Sequence, residues 1–409
     1  MPKSLSKPSS KPSSKPSSKP SSKQAARLYT LDALRGIAIV LILLFHATEL
    51  FEQKLDQPFL FNSFRFADAG VELFFVLSGF TLFWTYAHQL DFSLSWGRFM
   101  ANRCLRIYPF YWLINLAVIP IYFLLPTLGR GHETNLGVIL KSLLLIPQQL
   151  PPVLSVAWFL SYILLFYALF GLLISLKPKI ALPVLGSWIA LSIVFNIVAY
   201  SVGWEENSAA FWLHFLFSLY GIEFAAGGLM AFCLTRYSIK PVWQKAFLGW
   251  GFTAFLVFGL IDNYLLTGSN SSAMQGYEFI TYGTTSVFII GGLAASEQNQ
   301  NTQKNPVRWS PRLFSVKSLL MHPLPQQLGA ASYAIFLTHY LALSLCIKPL
   351  ILLQRRFDFS LILLNLGMIF CCLITLWVGQ LSYRYLEYPL TRFVRLKLQS
   401  WKYLHSNHS

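Results

Sequence analysis

Arg35 and His46 lie in one long apolar run that begins Leu31-Asp32-Ala33-Leu34-Arg35-Gly36, where ionisable side chains are costly. Eleven residues at 100° each make three turns plus about 20°, so both side chains share one helix face, about 16 Å apart along the axis. A guanidinium near the mouth of a span and an imidazole deeper on the same stripe can hold an anion and move a proton. Snorkelling of Arg35 to the headgroups, with His46 at the opposite interface, accounts for the same two residues. A second constellation, Arg103-Cys104-Leu105-Arg106-Ile107-Tyr108-Pro109, puts two guanidiniums on one helix face and marks a bend or the start of a span at Pro109. Paired arginines hold phosphates through forked hydrogen bonds, and they also serve as positive-inside anchors. Between these two lies Gly70-Val71-Glu72-Leu73-Phe74-Phe75-Val76-Leu77-Ser78-Gly79-Phe80, whose small residues Ser78 and Gly79 let another helix or an unwound turn approach closely.

The elements that position these residues follow from composition. Hydrophobic residues make up 55% of the chain and charged ones 12%, against roughly 25% charged in a soluble domain, so the chain is a polytopic, all-α membrane bundle. Part of the net charge of +16 comes from Lys-Pro-Ser-Ser repeats in the first 27 residues. That segment has no signal-peptide core and reads as a disordered basic tail, followed by a membrane domain over 28–392 and a second basic tail over 393–409. Because the remaining Lys and Arg concentrate in alternate loops, nucleic acid is a poor account of the charge. Cys104, Cys233, Cys346, Cys371 and Cys372 form no metal or redox spacing, and no metal site is expected.

Apolar runs long enough to cross the bilayer fall near 31–50, 70–88, 107–126, 156–176, 181–202, 211–233, 245–266, 277–296, 328–352 and 360–383. The run 136–146 is too short to span, contains Lys141 and ends at Pro147, which suggests a re-entrant or interfacial helix. With ten spans and both termini cytoplasmic, the inner loops carry Arg98, Arg103, Arg106, Lys177, Lys179, Arg236, Lys240, Lys304, Arg308, Arg312 and Lys317. The outer loops carry Glu49, Glu52, Asp56, Asp68, Glu205, Glu206 and Asp262, with Lys54, Arg65, Arg130 and Arg355-Arg356 as basic exceptions. Counting 136–146 as a span would put the later acidic loops inside, against the positive-inside rule.

Taken in order, these pieces resemble the acyltransferase-3 family of integral membrane acyltransferases. The resemblance rests on Arg35-x10-His46, the Phe-Phe-x-Leu-Ser-Gly-Phe run at 74–80 and the Arg-x-x-Arg-Ile-x-Pro run at 103–109. It continues through Tyr220-Gly221-Ile222-Glu223-Phe224-Ala225-Ala226-Gly227, the segment from Gly329 to His339, and Tyr385-Leu386-Glu387-Tyr388-Pro389. In the fourth span this chain reads Trp158-Phe159-Leu160-Ser161-Tyr162-Ile163-Leu164-Leu165-Phe166-Tyr167, with Ile163 where the family commonly has a glutamate. Glu72 or Glu223 are candidates to stand in for that missing acid.

The resemblance implies transfer of an acyl group, most often acetyl, from cytoplasmic acyl-coenzyme A to a hydroxyl on a sugar, sugar-bearing lipid or polysaccharide precursor. It implies a multi-pass protein of a bacterial inner membrane, with acyl-coenzyme A as co-substrate, no tightly bound cofactor, and polysaccharide-assembly proteins as partners. A hydroxyl needs a base, and histidine titrates closest to neutrality, so His46 is the candidate base and Arg35 its partner toward the donor. Arg103 and Arg106, with Tyr108, are assigned to coenzyme A. Asp32, Ser78, Trp158, Tyr167, Glu223 and His339 are assigned to substrate contact or support, a hydrogen-bonded structural histidine being the other reading of His339. Glu387 is expected to pair with an arginine such as Arg384 or to cap the last span. Intramembrane Arg, His and Glu also mark transport paths, so a transporter or flippase for a glycolipid or small anion remains an alternative at this stage. A non-catalytic scaffold of polysaccharide export is the other.

Overall fold

The computed structural model describes residues 28–87, 95–204, 210–265, 276–302 and 316–406; the basic tail expected over 1–27 lies outside the described residues. In chain order the α-helices are α1 (Tyr29–Leu55), α2 (Gly70–Ala87), α3 (Trp96–Leu124), α4 (Leu136–Leu143), α5 (Trp158–Ser175), α6 (Pro178–Val202), α7 (Phe211–Leu216) and α8 (Leu219–Arg236). They continue as α9 (Pro241–Leu265), α10 (Thr284–Thr302), α11 (Val316–Leu320), α12 (Pro323–Ala330), α13 (Ser332–Phe357), α14 (Leu361–Ser382) and α15 (Tyr388–Ser406). There is no strand among the described residues, and ten segments are long and apolar enough to cross a membrane, the number expected.

Three boundaries differ from expectation. The third span begins at Trp96 and runs through Pro109 and Pro120 without ending, although 107 was its expected start. A proline removes one backbone hydrogen bond, but breaking the helix in hydrocarbon would strand several more, so continuation costs less. Arg98, Arg103 and Arg106 therefore ride on a rigid helix instead of a loop. The ninth span opens at Ser332, because Gly329 belongs to the separate short helix α12. The last span passes through a π-helical turn, Tyr383–Glu387, into α15, so the segment 393–406 is helical.

Two close approaches set the frame. A Cβ on Gly79 would collide with the Phe224 backbone and one on Gly227 with the Val76 carbonyl, so α2 and α8 touch backbone to backbone. Gly329 is likewise pressed on the Asp32 carbonyl, which seats α12 across α1 beside Arg35. The first turn of α1 has no local side-chain cap. Glu297 of α10 supplies one from the far end of the sequence, accepting from the Tyr29 and Thr30 N–H groups at 2.9 and 3.1 Å and from Thr30 Oγ1 at 2.7 Å.

Helix α4 spans eight residues, about 12 Å, too short to cross. Asn135 caps it by accepting from the Gly137 and Val138 N–H groups. Val138 and Ile139 pack with Ile119 and Tyr122. At its other end the Ser142, Leu143 and Leu144 carbonyls accept from Tyr111, Trp112 and Tyr108 at 2.6, 2.8 and 2.8 Å. The segment thus descends alongside α3 and returns, with Val153 N–H bonded to Ser142 Oγ at 3.0 Å. A short helix packed on α3 that does not cross agrees with the expectation that 136–146 is not a span.

Candidate active site

Two large cavities open toward opposite ends of α1. One, about 530 Å³, is lined by Asp32, Arg35, Ser78, Arg103, Arg106 and Tyr167, among others, with Phe74, Phe159, Ile163 and Phe336 as apolar wall. The other, about 390 Å³, is lined by Lys54, Arg130, His132, Lys348, Tyr122 and Tyr340 among others. Arg35 and Lys54 are nineteen residues apart on one helix, about 28 Å, close to the hydrocarbon thickness of a bilayer.

The cavities meet back to back. On α13, Phe336 lines the arginine cavity and its neighbour Leu337 lines the lysine cavity; before α5, Val156 faces the second and Phe159 the first. The side chains at this level of α13 and α5 form the septum between them. His46, on α1 between the Arg35 and Lys54 ends, lines neither cavity; its ring centroid is 5.4 Å from that of His339 and 5.2 Å from that of Tyr340, which lines the lysine cavity.

Hydrogen bonds assign the protons. His46 Nδ1 lies 3.0 Å from Glu49 Oε2, and a carboxylate partner makes Nδ1 the donor, leaving Nε2 with a free lone pair. Glu49 counted only as an outer acid in the loop charges, yet its i+3 spacing from His46 put it on the same face. His339 is fully buried, with Nδ1 2.8 Å from the Phe336 carbonyl and 3.2 Å from that of Ile335, so the same proton placement holds. Its Nε2 has no hydrogen-bond partner among the described residues.

In the arginine cavity, Arg35 Nη1 donates to Asp32 Oδ1 at 2.9 Å, an ion pair along one helix face. Arg103 is held in an aromatic cage, its guanidinium carbon 5.2, 5.5 and 5.3 Å from the ring centroids of Tyr86, Phe99 and Tyr167. Its Nε is buried without a partner. Arg106 is exposed and lies near Glu387, as does the Ala334 backbone. Glu387 thus lies against Arg106 and the start of α13; the expected pairing with Arg384 is not what fixes it.

Other expectations are relocated. Tyr108 lines neither large cavity; its hydroxyl is spent on the Leu144 carbonyl, which makes it a brace for the re-entrant segment. Trp158 also lines neither and packs on Phe159, Tyr162 and Tyr220. Glu72 and Glu223 are buried around a small separate void that also borders Tyr162 and His214. Neither lines either large cavity, and the carboxylate bonded to His46 is Glu49. Ile163 is buried in the wall of the arginine cavity and makes that stretch apolar.

Residues 28–384 match the family model described as an acyltransferase domain, acyltransferase-3. The chain is 27% identical over 316 residues to the exopolysaccharide production protein ExoZ of Rhizobium meliloti (strain 1021), covering 75% of this chain and 83% of that protein. Protein 2 in the picA locus of Rhizobium radiobacter is 33% identical over 99 residues, 24% of this chain and 47% of that one. No solved structure matches significantly. With a family match over most of its length and ten apolar helices around a buried histidine, the chain belongs to the acyltransferase-3 family and is a multi-pass membrane acyltransferase.

Proposed function

We propose that this enzyme transfers an acetyl group from acyl-coenzyme A, bound in the arginine cavity, to a sugar hydroxyl of a polysaccharide precursor that enters the lysine cavity. The observation that carries the reading is the position of His46, on α1 between two cavities at opposite ends of that helix and against Tyr340 of the second. The polysaccharide context is supported by similarity to a protein named for exopolysaccharide production. The Lys and Arg distribution favours placing the arginine cavity on the cytoplasmic side of a bacterial inner membrane, where acyl-coenzyme A is made.

Phosphate groups of the donor would engage Arg103 and Arg106, with Arg35 completing the cationic lining. The pantetheine arm then lies along the Arg35 to His46 stripe and brings its thioester to the septum. Arg35 is about 16 Å from His46 along α1, so it holds the donor and does not touch the reacting carbonyl. His46 Nε2 takes the proton of the acceptor hydroxyl as its oxygen attacks the thioester carbonyl. The tetrahedral intermediate collapses with cleavage of the carbon–sulfur bond, and the departing sulfur receives the proton from the imidazolium. Glu49, on Nδ1, fixes the tautomer and stabilises the transient positive charge, while Tyr340, edge-on to His46, lines the acceptor's cavity.

Sealed inverted vesicles test the arrangement. Acetyl-coenzyme A supplied on the outside of inverted vesicles and acceptor trapped inside should give acetylated product. Product only when both reagents share one face would overturn it.

A further inference from the structure

Lys54 and Arg130 are two of the five basic residues that break the charge rule on the outer side. Among the other outer basic residues, Arg65 is taken by Glu52, its Nη2 2.7 Å from both carboxylate oxygens. Arg355 and Arg356 close the last turn of α13 and line neither large cavity. Lys54 from α1 and Arg130 from the loop before α4 instead converge on one cavity, where Lys348 of α13 joins them. All three are exposed, and no ion pair joins any of them among the described residues.

One carboxylate, Glu133, shares the lining, but it is already committed. Burial pushes its carboxyl up, yet the Arg130 and Gly131 N–H groups, each 2.8 Å away, and His132 beside it hold it below the usual carboxylate range. Its charge is spent on folding the Arg130 loop. Three permanent cations thus face one satisfied anion around a concave, water-reachable site. Tyr122 and Tyr340 contribute ring faces and hydroxyls to the same wall, the mixed surface that a sugar requires.

We infer that the lysine cavity selects an acidic saccharide, one carrying a carboxylate or a phosphodiester-type linkage near the hydroxyl to be acylated. This rests on the reading of that cavity as the acceptor side, and it adds the charge class of the acceptor. Lys54, Arg130 and Lys348 bind the anion and leave the sugar hydroxyl to His46, across Tyr340.

Equilibrium binding without donor, on the full-length protein in phosphatidylcholine nanodiscs, separates this from the transfer reaction. The probes are cellobiose, cellobiouronic acid and cellobiose linked to polyprenyl diphosphate. At low salt one or both anionic probes should bind at least about tenfold tighter than cellobiose, with the advantage lost at high ionic strength. Lys54→Gln combined with Lys348→Gln should abolish the preference, whereas Arg65→Gln, outside the cavity, should keep it. Preference for the uronate places the anion on the sugar, and preference for the diphosphate alone places it at the lipid linkage. Equal binding of all three probes, or a preference that survives the double substitution, would overturn the inference. A protein that binds anionic probes yet transfers nothing would keep this site and lose the proposed reaction instead.

Discussion

His46 is useful only because Glu49 removes the ambiguity of its two nitrogens: with Nδ1–H directed to the carboxylate, Nε2 is the base. His46→Ala should lower acyl transfer by about 10²–10⁴-fold, the usual contribution of a positioned base, with membrane insertion unchanged. Glu49→Gln should keep the fold and donor binding but lower kcat by roughly 10- to 100-fold, the loss seen when partners that orient an imidazole are removed. Wild-type turnover by either variant at matched membrane levels would contradict the assignment. Arg35 and Arg103 make a separate claim about the donor. Arg35→Lys should insert normally and transfer poorly, since an ammonium cannot pair with Asp32 and still present a planar fork to the donor. Arg103→Ala should weaken coenzyme A binding by about 2–5 kcal/mol if its caged guanidinium meets a desolvated phosphate; unchanged affinity by calorimetry would reduce it to an anchor. Arg35 and His46 were legible in the sequence because an intramembrane charge stands out. Glu49 was not, because an acid near a span end looks like an outer-loop charge until helix α1 is seen to continue to Leu55.

Helices are where spacing turns into distance. Ser78 and Gly79 marked a close approach in the sequence, and α8 is what approaches, with Gly227 as the reciprocal contact. Gly227→Leu should therefore force α2 and α8 apart; overpacking costs about 1–3 kcal/mol, and more where the obstacle is backbone. The expected outcome is a lower thermal midpoint and reduced yield of folded protein in detergent. Glu297→Ala should destabilise the start of α1 by roughly 1.5–3 kcal/mol per charged hydrogen bond lost, read as faster amide exchange at Tyr29 and Thr30. The ten spans were readable from hydropathy alone, since only long apolar helices satisfy the backbone in hydrocarbon. Pro109 was misleading for the same reason: in water a proline ends a helix, whereas inside the bundle the ends would have nowhere to go. Glu297 as a cap lies some 268 positions from its partner, beyond any local pattern, and the same distance hides the meeting of α3, α5 and α13 around one cavity.

At the scale of the molecule, the two cavities are compartments with different chemistry, cationic and apolar on one side, cationic with tyrosine rings on the other. The consequence of adjacent residues of α13 lining different cavities is permeability. A bilayer protein with hollows at both ends places Phe336 and Leu337 between water on one face and water on the other. Phe336→Gly would remove that plug and let the hollows join. Reconstituted in liposomes, this variant should dissipate an imposed proton gradient faster than the parent protein. It should also hydrolyse acetyl-coenzyme A without acceptor, because water reaches His46 in place of a sugar. A cell carrying such a variant would then lose membrane potential and thioester together, so the bulk of that phenylalanine answers to bioenergetics as much as to packing.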